Sequence, residues 1–310
     1  MCKVEIGYKV VASFSIHLSL RENSTARNPP MQLLAIDTEG RLVGVKQADR
    51  QAVYSCLECQ GKVRARGGEF RQLHFYHLEP PHHCRQHQKG LPHLHVQSYL
   101  YASIGAEDCA LEERMPAIQR IADVVWFSKK VVFEIQCSFI TAEEVEKRNR
   151  DYGLLGWSVI WILHDERFNQ TRYTAAEERL AHRPHYYTNI DSEGQGIIYD
   201  QFEYLCRGKR QHKLLPLPIQ IHTLKDTQQV KVNNKSPAIA QQRLKAWPYY
   251  CECDLIDLSV RNSNLDYLHQ VLEKENLIAR SLRPGSPDLW MRLKKLYRTV
   301  FYHFLEKATR

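Results

Sequence analysis

Nowhere in the 310 residues does an apolar run approach the length of a membrane span. The one short apolar stretch near the start, residues 10–20, is broken by serines and His17. No small-residue cleavage site follows it cleanly, which argues against a secretory signal. A regular cysteine framework is also missing. Nine cysteines, an odd number, do not suit a secreted disulfide scaffold, so a reducing, cytoplasmic setting is expected, with some thiols available to metal. Strong charge of one sign is lacking too. The net charge is +8 with fifteen histidines, a modest basic excess that suits a polyanionic partner without identifying one. What is there is ordinary for a soluble globular chain: 43% hydrophobic residues and enough length for two domains, or one with appendages.

The most informative stretch runs from Arg120 to Leu163 and reads as strand, turn, strand, helix, strand. Residues 121–127 and 131–138 alternate as two antiparallel strands. Val131, Phe133, Ile135 and Cys137 take one face; Val132, Glu134 and Gln136 take the other. A turn centred on Lys129-Lys130 sets Asp123 opposite Gln136 and Val125 opposite Glu134, all on that second face. Paired carboxylates repel unless a cation joins them, and a hard cation such as Mg²⁺ takes one or two carboxylates beside water and phosphate. That layout suits metal-assisted phosphodiester hydrolysis; the alternative is two separate acids on a solvated face. Thr141-Ala-Glu-Glu144 opens the helix as a capping box. Arg148 and Tyr152 share one face of it, where Arg148 either clamps a phosphate or pairs with a helix glutamate. Residues 159–163 form a continuous apolar run, expected of a buried strand with parallel neighbours.

Upstream, Cys56-Leu-Glu-Cys59 is followed by His74-Phe-Tyr-His77. Two thiolates two residues apart with imidazole nearby suit tetrahedral Zn²⁺, and a metal staple would stabilise a unit with little core of its own. Cys84 is the alternative to a histidine as the fourth ligand. His95 opens a helix-like run that ends near Gly105. Cys251 and Cys253 have the wrong spacing for a knuckle and read as ordinary thiols. After a polar, aperiodic stretch over 223–236, residues 265–279 look helical. Ser286-Pro287-Asp288 begins a second, amphipathic helix.

Asp123 with Glu134-Ile-Gln136 resembles the active-site pattern of the PD-(D/E)xK nuclease superfamily. Arg120-Ile-Ala-Asp123, Glu134-Ile-Gln-Cys-Ser138, Arg148 with Tyr152, and Trp157-Ser-Val-Ile-Trp161 together resemble its competence protein CoiA branch, over about residues 31–220. The resemblance implies catalysis by Asp123, Glu134 and Gln136, with Mg²⁺ or Mn²⁺ on Asp123 and Glu134. It implies nucleic-acid contacts from Arg148, Tyr152 and His95, and structural zinc on Cys56, Cys59, His74 and His77. Two departures stand out: Ala122 replaces the usual proline, and Gln136 stands where the superfamily has a charged lysine. Tyr99 also sits where relatives carry a lysine near the helix histidine.

The fold expected is α/β, a restriction-endonuclease-like mixed-sheet core with a small β-rich zinc-binding N-terminal domain and a helical C-terminal region. The divisions expected are an extension over 1–30, the zinc-finger-like unit over 31–90 and the nuclease-like core over 91–170. An irregular β extension over 171–222, a linker over 223–236 and helices over 237–310 follow. The function implied is a Mg²⁺-dependent nuclease or DNA-processing protein of natural transformation and recombination, acting on DNA including single strands, with recombination proteins as partners. The alternative is a catalytically inactive, zinc-containing nucleic-acid-binding protein on a nuclease fold.

Overall fold

Short strands and tight polar turns come first among the described residues. The computed structural model describes residues 32–282 apart from 69–70, 80–83, 85–88, 207, 229 and 231–235. The extension expected over 1–30 and the helix expected from Ser286 lie outside the described residues. Asp37 ties its turn by accepting from the Arg41 amide at 2.8 Å, a role short acids commonly take. The strands are β1 (Leu34–Ile36), β2 (Leu42–Gly44), β3 (Tyr54–Ser55), β4 (Lys62–Gly68) and β5 (Arg71–His77). They form an antiparallel sheet in the order β2-β1-β3-β4-β5. Its core is small and holds Val63, Ala65, Phe75 and two cysteines, Cys56 and Cys84.

A second, larger sheet follows. Helix α1 (Leu91–Ile104) starts after Gly90 with Pro92 in its first turn, four residues before the His95 start read from the sequence. Next come β6 (Cys109–Met115), β7 (Arg120–Trp126), β8 (Val131–Gln136), α2 (Ala142–Leu154) and β9 (Ser158–His164). Then follow α3 (Ala175–Leu180), β10 (His185–Thr188), β11 (Ile198–Asp200), the hairpin β12 (Glu203–Cys206) and β13 (Lys209–Lys213), and β14 (Leu217–Pro218). Seven strands pair in the order β14-β11-β10-β9-β8-β7-β6. β9 runs parallel to β8 and β10, and the remaining pairs are antiparallel. This is the mixed α/β sheet that the sequence implies.

Both faces are covered. On one, Val96 and Leu100 of α1 meet Phe133, Ile160 and Ile162. On the other, Val145 and Tyr152 of α2 and Leu180 of α3 meet Val132, Trp161 and Leu163. Burial on both sides is why β9 reads as an unbroken apolar run. It also means that Asp123 and Glu134 do not project from a small solvated sheet: every residue of β8 is buried.

The β7–β8 register differs from the expected one by two residues. Val124 pairs with Phe133, Val125 with Val132 and Trp126 with Val131. The turn is therefore residues 127–130, closed by Lys130 N–H donating to the Phe127 carbonyl at 3.1 Å. Asp108, at the start of β6, holds that turn: it accepts from the Ser128 amide at 2.8 Å and from Trp126 Nε1 at 2.7 Å. A two-residue shift preserves side-chain parity. Continued one step, the register sets Asp123 opposite Glu134.

The C-terminal part packs on the same core. β15 (Gln220–Asp226) runs through the first residues of the expected linker and pairs antiparallel with β16 (Tyr249–Glu252); α4 (Ala238–Ala246) lies between them, and α5 (Leu255–Arg261) and α6 (Leu265–Leu282) follow. Trp247 and Tyr250 join the α1 face of the large sheet. Arg243 of α4 donates to both oxygens of Asp200 at 2.8 Å, and both residues are buried. Removing one partner of such a pair leaves an uncompensated buried charge. Arg243→Ala is expected to lower stability by about 3–5 kcal/mol, read as a lower urea midpoint.

Candidate active site

Where β7 passes Val124 the ladder to β8 stops, and a side chain takes over. Ile135 N–H donates to Asp123 Oδ2 at 2.9 Å. The Asp123 carboxylate therefore sits between two parting strands, held by backbone. Its other oxygen meets Lys89 Nζ at 2.8 Å and lies 3.3 Å from His93 Nε2. Lys89 also pairs with Glu112 Oε1. Gln97 donates to the same Glu112 oxygen and to the Asp123 carbonyl, the latter at 3.1 Å. Lys89, His93 and Gln97 are spaced by four, so α1 and the residue before its cap present one polar face to the acids.

Glu112 reaches this point through an unusual backbone. Its φ is +53° in the middle of β6, and the β6–β7 pairing skips it between Leu111↔Val124 and Glu113↔Ala122. As a result Leu111 and Met115, of equal parity, end on opposite faces of the sheet. A buried non-glycine residue in the left-handed region is a costly conformation that functional sites often retain.

His93, Glu112 and Asp123 each offer a ligand atom, all within 4.8 Å of one another and all buried. His93 Nε2 is buried and makes no hydrogen bond of proper geometry; it faces Asp123 Oδ1 at 3.3 Å. These three residues could hold a divalent metal. Burial alone would raise the Asp123 carboxyl, but Lys89 and His93 outweigh it and hold it well below the usual carboxylate range. Burial raises Glu112, with Asp123 adding to the rise and Lys89 opposing it.

Glu134 lies outside that triplet. Its Oε1 accepts from Tyr152 O–H at 2.5 Å and its Oε2 from Arg148. Burial raises its carboxyl; Arg148 opposes this, and the negative charge of Asp123 adds to it. Arg148 also donates to Glu144 at 2.9 Å, so the pairing of Arg148 with a helix glutamate is present. Glu144 in turn accepts from Arg120 at 2.7 Å. Its backbone N–H donates to Thr141 Oγ1 at 3.1 Å, one half of the expected capping box; the Glu144 carboxylate does not reach back, because it is held by Arg120 and Arg148. Gln136 turns its amide away, to the Ser138 carbonyl at 2.8 Å and hydroxyl at 3.2 Å. It shapes the rim; Gln136→Ala is expected to lower any cleavage by less than the roughly 10²–10³-fold that loss of a direct transition-state donor costs, measured as a single-turnover rate.

These groups line a cleft of about 540 Å³, bounded by Lys89, His93, Glu112, Asp123, Gln136 and Arg148 among others. Cys137 is also there, but burial pushes its thiol up to about 12, so it is not a thiolate nucleophile near neutral pH. His95 is not in the cleft. Its Nε2 lies 3.1 Å from the Ser192 carbonyl, and its ring packs on the turn at Gly194.

The Cys/His cluster sits in the small N-terminal unit. Cys56, Cys59, His77 and Cys84 bring their donor atoms within 4.8 Å of one another. Cys56 and Cys84 sulfurs are 3.7 Å apart, and Cys59 Sγ lies 3.2 Å from His77 Nε2. The sulfur separation is far longer than a disulfide and close to the edge of about 3.8 Å that Zn–S bonds of about 2.3 Å give a tetrahedron. The cluster could bind zinc. His74 is not part of it: its Nε2 accepts from Arg66 Nε at 3.0 Å. Glu58, inside the knuckle, lines the cleft beside Asp123.

The family model described as competence protein CoiA, nuclease-like domain, matches residues 86–244, just over half the chain. The chain belongs to this family. The matched region holds Lys89, His93, Glu112, Asp123, Glu134 and Arg148, and begins after the last residue of the Cys/His cluster. A nuclease-like domain implies nucleic-acid binding and suggests a metal cofactor. No curated protein and no solved structure matches the chain. Among the described residues no helix is long and apolar enough to cross a membrane.

Proposed function

We propose that the chain is a divalent-metal-dependent nuclease that hydrolyses phosphodiester bonds in DNA, single strands included, during transformation and recombination. The observation that supports this is the convergence of His93, Glu112 and Asp123 at the base of a cleft, with the Asp123 carboxylate fixed by Ile135 N–H. A metal held there would lower the pKa of a bound water and stabilise charge on the phosphate. The protein's own groups do the rest. Ile135 and Gln97 keep the two acids oriented. Glu134, tied by Tyr152 and Arg148, fixes the guanidinium at the cleft wall, where its remaining N–H groups face an incoming phosphate. In the reaction a water oxygen bonds to phosphorus, the opposite P–O bond breaks, and the proton given up by the water ends on the leaving oxygen. Zinc on Cys56, Cys59, His77 and Cys84 would be structural, since all four positions are filled by protein.

The donor set makes a specific demand. Mg²⁺ strongly prefers oxygen, whereas Mn²⁺ accepts an imidazole more readily. Cleavage of end-labelled single- and double-stranded DNA is expected to need a divalent ion and to reach half-maximum at lower Mn²⁺ than Mg²⁺. DNA binding with no cleavage under any of these ions would select the inactive binding protein instead, the reading that Gln136 in place of lysine supports.

A further inference from the structure

The cleft contains a cation of the protein's own. Lys89 precedes the cap of α1, and its ammonium lies between Glu112 Oε1 and Asp123 Oδ1, with 2.8 Å to the latter. Both acids are members of the triplet that could hold a metal. An ammonium and a divalent ion cannot share these two oxygens at contact distance, because like charges repel and each carboxylate would have to serve both. The same cleft lacks a lysine at Gln136, whose amide is spent on Ser138. Lys89 has a flexible four-carbon stem and sits outside the helix proper, so its head group can move while its backbone stays.

We propose that Lys89 is an exchangeable cation: it neutralises Glu112 and Asp123 in the empty site, is displaced by the metal, and then contacts a non-bridging oxygen of the scissile phosphate. This rests on the nuclease reading for its last step only. Displacement concerns the protein and metal alone. The ammonium moves without gaining or losing a proton, and its role at the phosphate is charge stabilisation. Lys89 thus supplies from the α1 side the positive charge that Gln136 does not supply from β8.

The two steps give opposite signs on substitution, which a merely structural lysine would not. Lys89→Met removes the competitor, so Mn²⁺ should bind about tenfold tighter, the worth of one charged hydrogen bond that no longer competes. The same variant should cleave about 10²-fold more slowly at saturating Mn²⁺, since a transition-state contact is lost. Lys89→Arg keeps a cation and should stay near wild type in Mn²⁺ affinity. Placing Gln136→Lys in the Lys89→Met background should recover at least about tenfold of the lost rate. The measurements are calorimetric Mn²⁺ titration of the full chain without DNA, and single-turnover cleavage. Weaker or unchanged Mn²⁺ binding in Lys89→Met overturns the displacement, and wild-type cleavage by that variant overturns the phosphate contact. Should Lys89→Met fail to fold, the Arg variant still decides: Mn²⁺ affinity raised as if no cation competed would overturn the proposal. A wild-type protein that binds Mn²⁺ but cuts no DNA defeats the nuclease reading while leaving the displacement result to stand or fall on the titration.

Discussion

Asp123→Asn is expected to abolish metal-dependent cleavage, by at least about 10²–10³-fold, while the chain stays folded and still binds DNA. The argument rests on which half of the carboxylate does what. Asp123 Oδ2 accepts a backbone N–H from Ile135 at 2.9 Å, and an asparagine carbonyl can do the same. Oδ1 faces Lys89 and His93, and there the negative charge is what matters. Asparagine removes that charge with almost no change in volume, so the strand junction survives and the cation site does not. Glu134 provides the contrast. Its side chain is 1% exposed and holds Arg148 and Tyr152. Glu134→Ala is expected to cost about 1–3 kcal/mol by leaving the buried Tyr152 hydroxyl without its acceptor, while Arg148 keeps Glu144, so its loss of activity should come with a lower unfolding midpoint. Cleavage assays in Mn²⁺ beside urea titrations separate the two. An Asp123→Asn protein that cuts DNA at the wild-type rate would remove Asp123 from the chemistry.

Much of the fold could be read from local pattern. The apolar run at 159–163 demanded a strand buried on both faces, and it is one. Thr141 marked the start of α2 because a hydroxyl three residues before a glutamate is a local signal, and Cys56-x-x-Cys59 marked the knuckle for the same reason. What was not legible depends on contacts between distant segments. The 127–130 turn is fixed by Asp108, just before β6, so no reading of Lys129-Lys130 alone would set the register. Glu112 gave no warning of a left-handed backbone, since glutamate rarely adopts one. His93 was hidden among the histidines and the cysteine of residues 82–95. Gly90 with Pro92 was a better helix start than His95, and once the helix begins there, Lys89, His93 and Gln97 fall on one face. The fourth metal ligand was open to a similar argument. Residues three apart in a strand point to opposite faces, so His74 and His77 of β5 could not both meet Cys56 and Cys59.

Chelating the zinc proposed for the Cys/His cluster is expected to unfold the N-terminal sheet. Among the described residues its core has eight buried members, and two of them, Cys56 and Cys84, belong to the cluster itself. Without metal, burial pushes the Cys56 thiol up to about 11. Weak polar contacts such as Cys56 Sγ to Cys84 Sγ at 3.7 Å and Cys59 Sγ to His77 Nε2 at 3.2 Å then hold the centre of a small core. Bound zinc would replace those contacts with four ligand bonds; structural zinc sites in small domains carry an apparent binding free energy of about 10–16 kcal/mol near pH 7. Cys84→Ser should therefore lose zinc and the protection of β3, β4 and β5 against hydrogen exchange. His74→Ala should keep a full complement, because His74 bonds Arg66 and not the cluster. The effect should also reach the cleft, since Glu58 lies within the knuckle and lines the wall beside Asp123. Elemental analysis of both variants with hydrogen exchange over residues 32–78 is the measurement. Unchanged zinc in Cys84→Ser, or zinc lost from His74→Ala alone, would show that the ligand set is not Cys56, Cys59, His77 and Cys84.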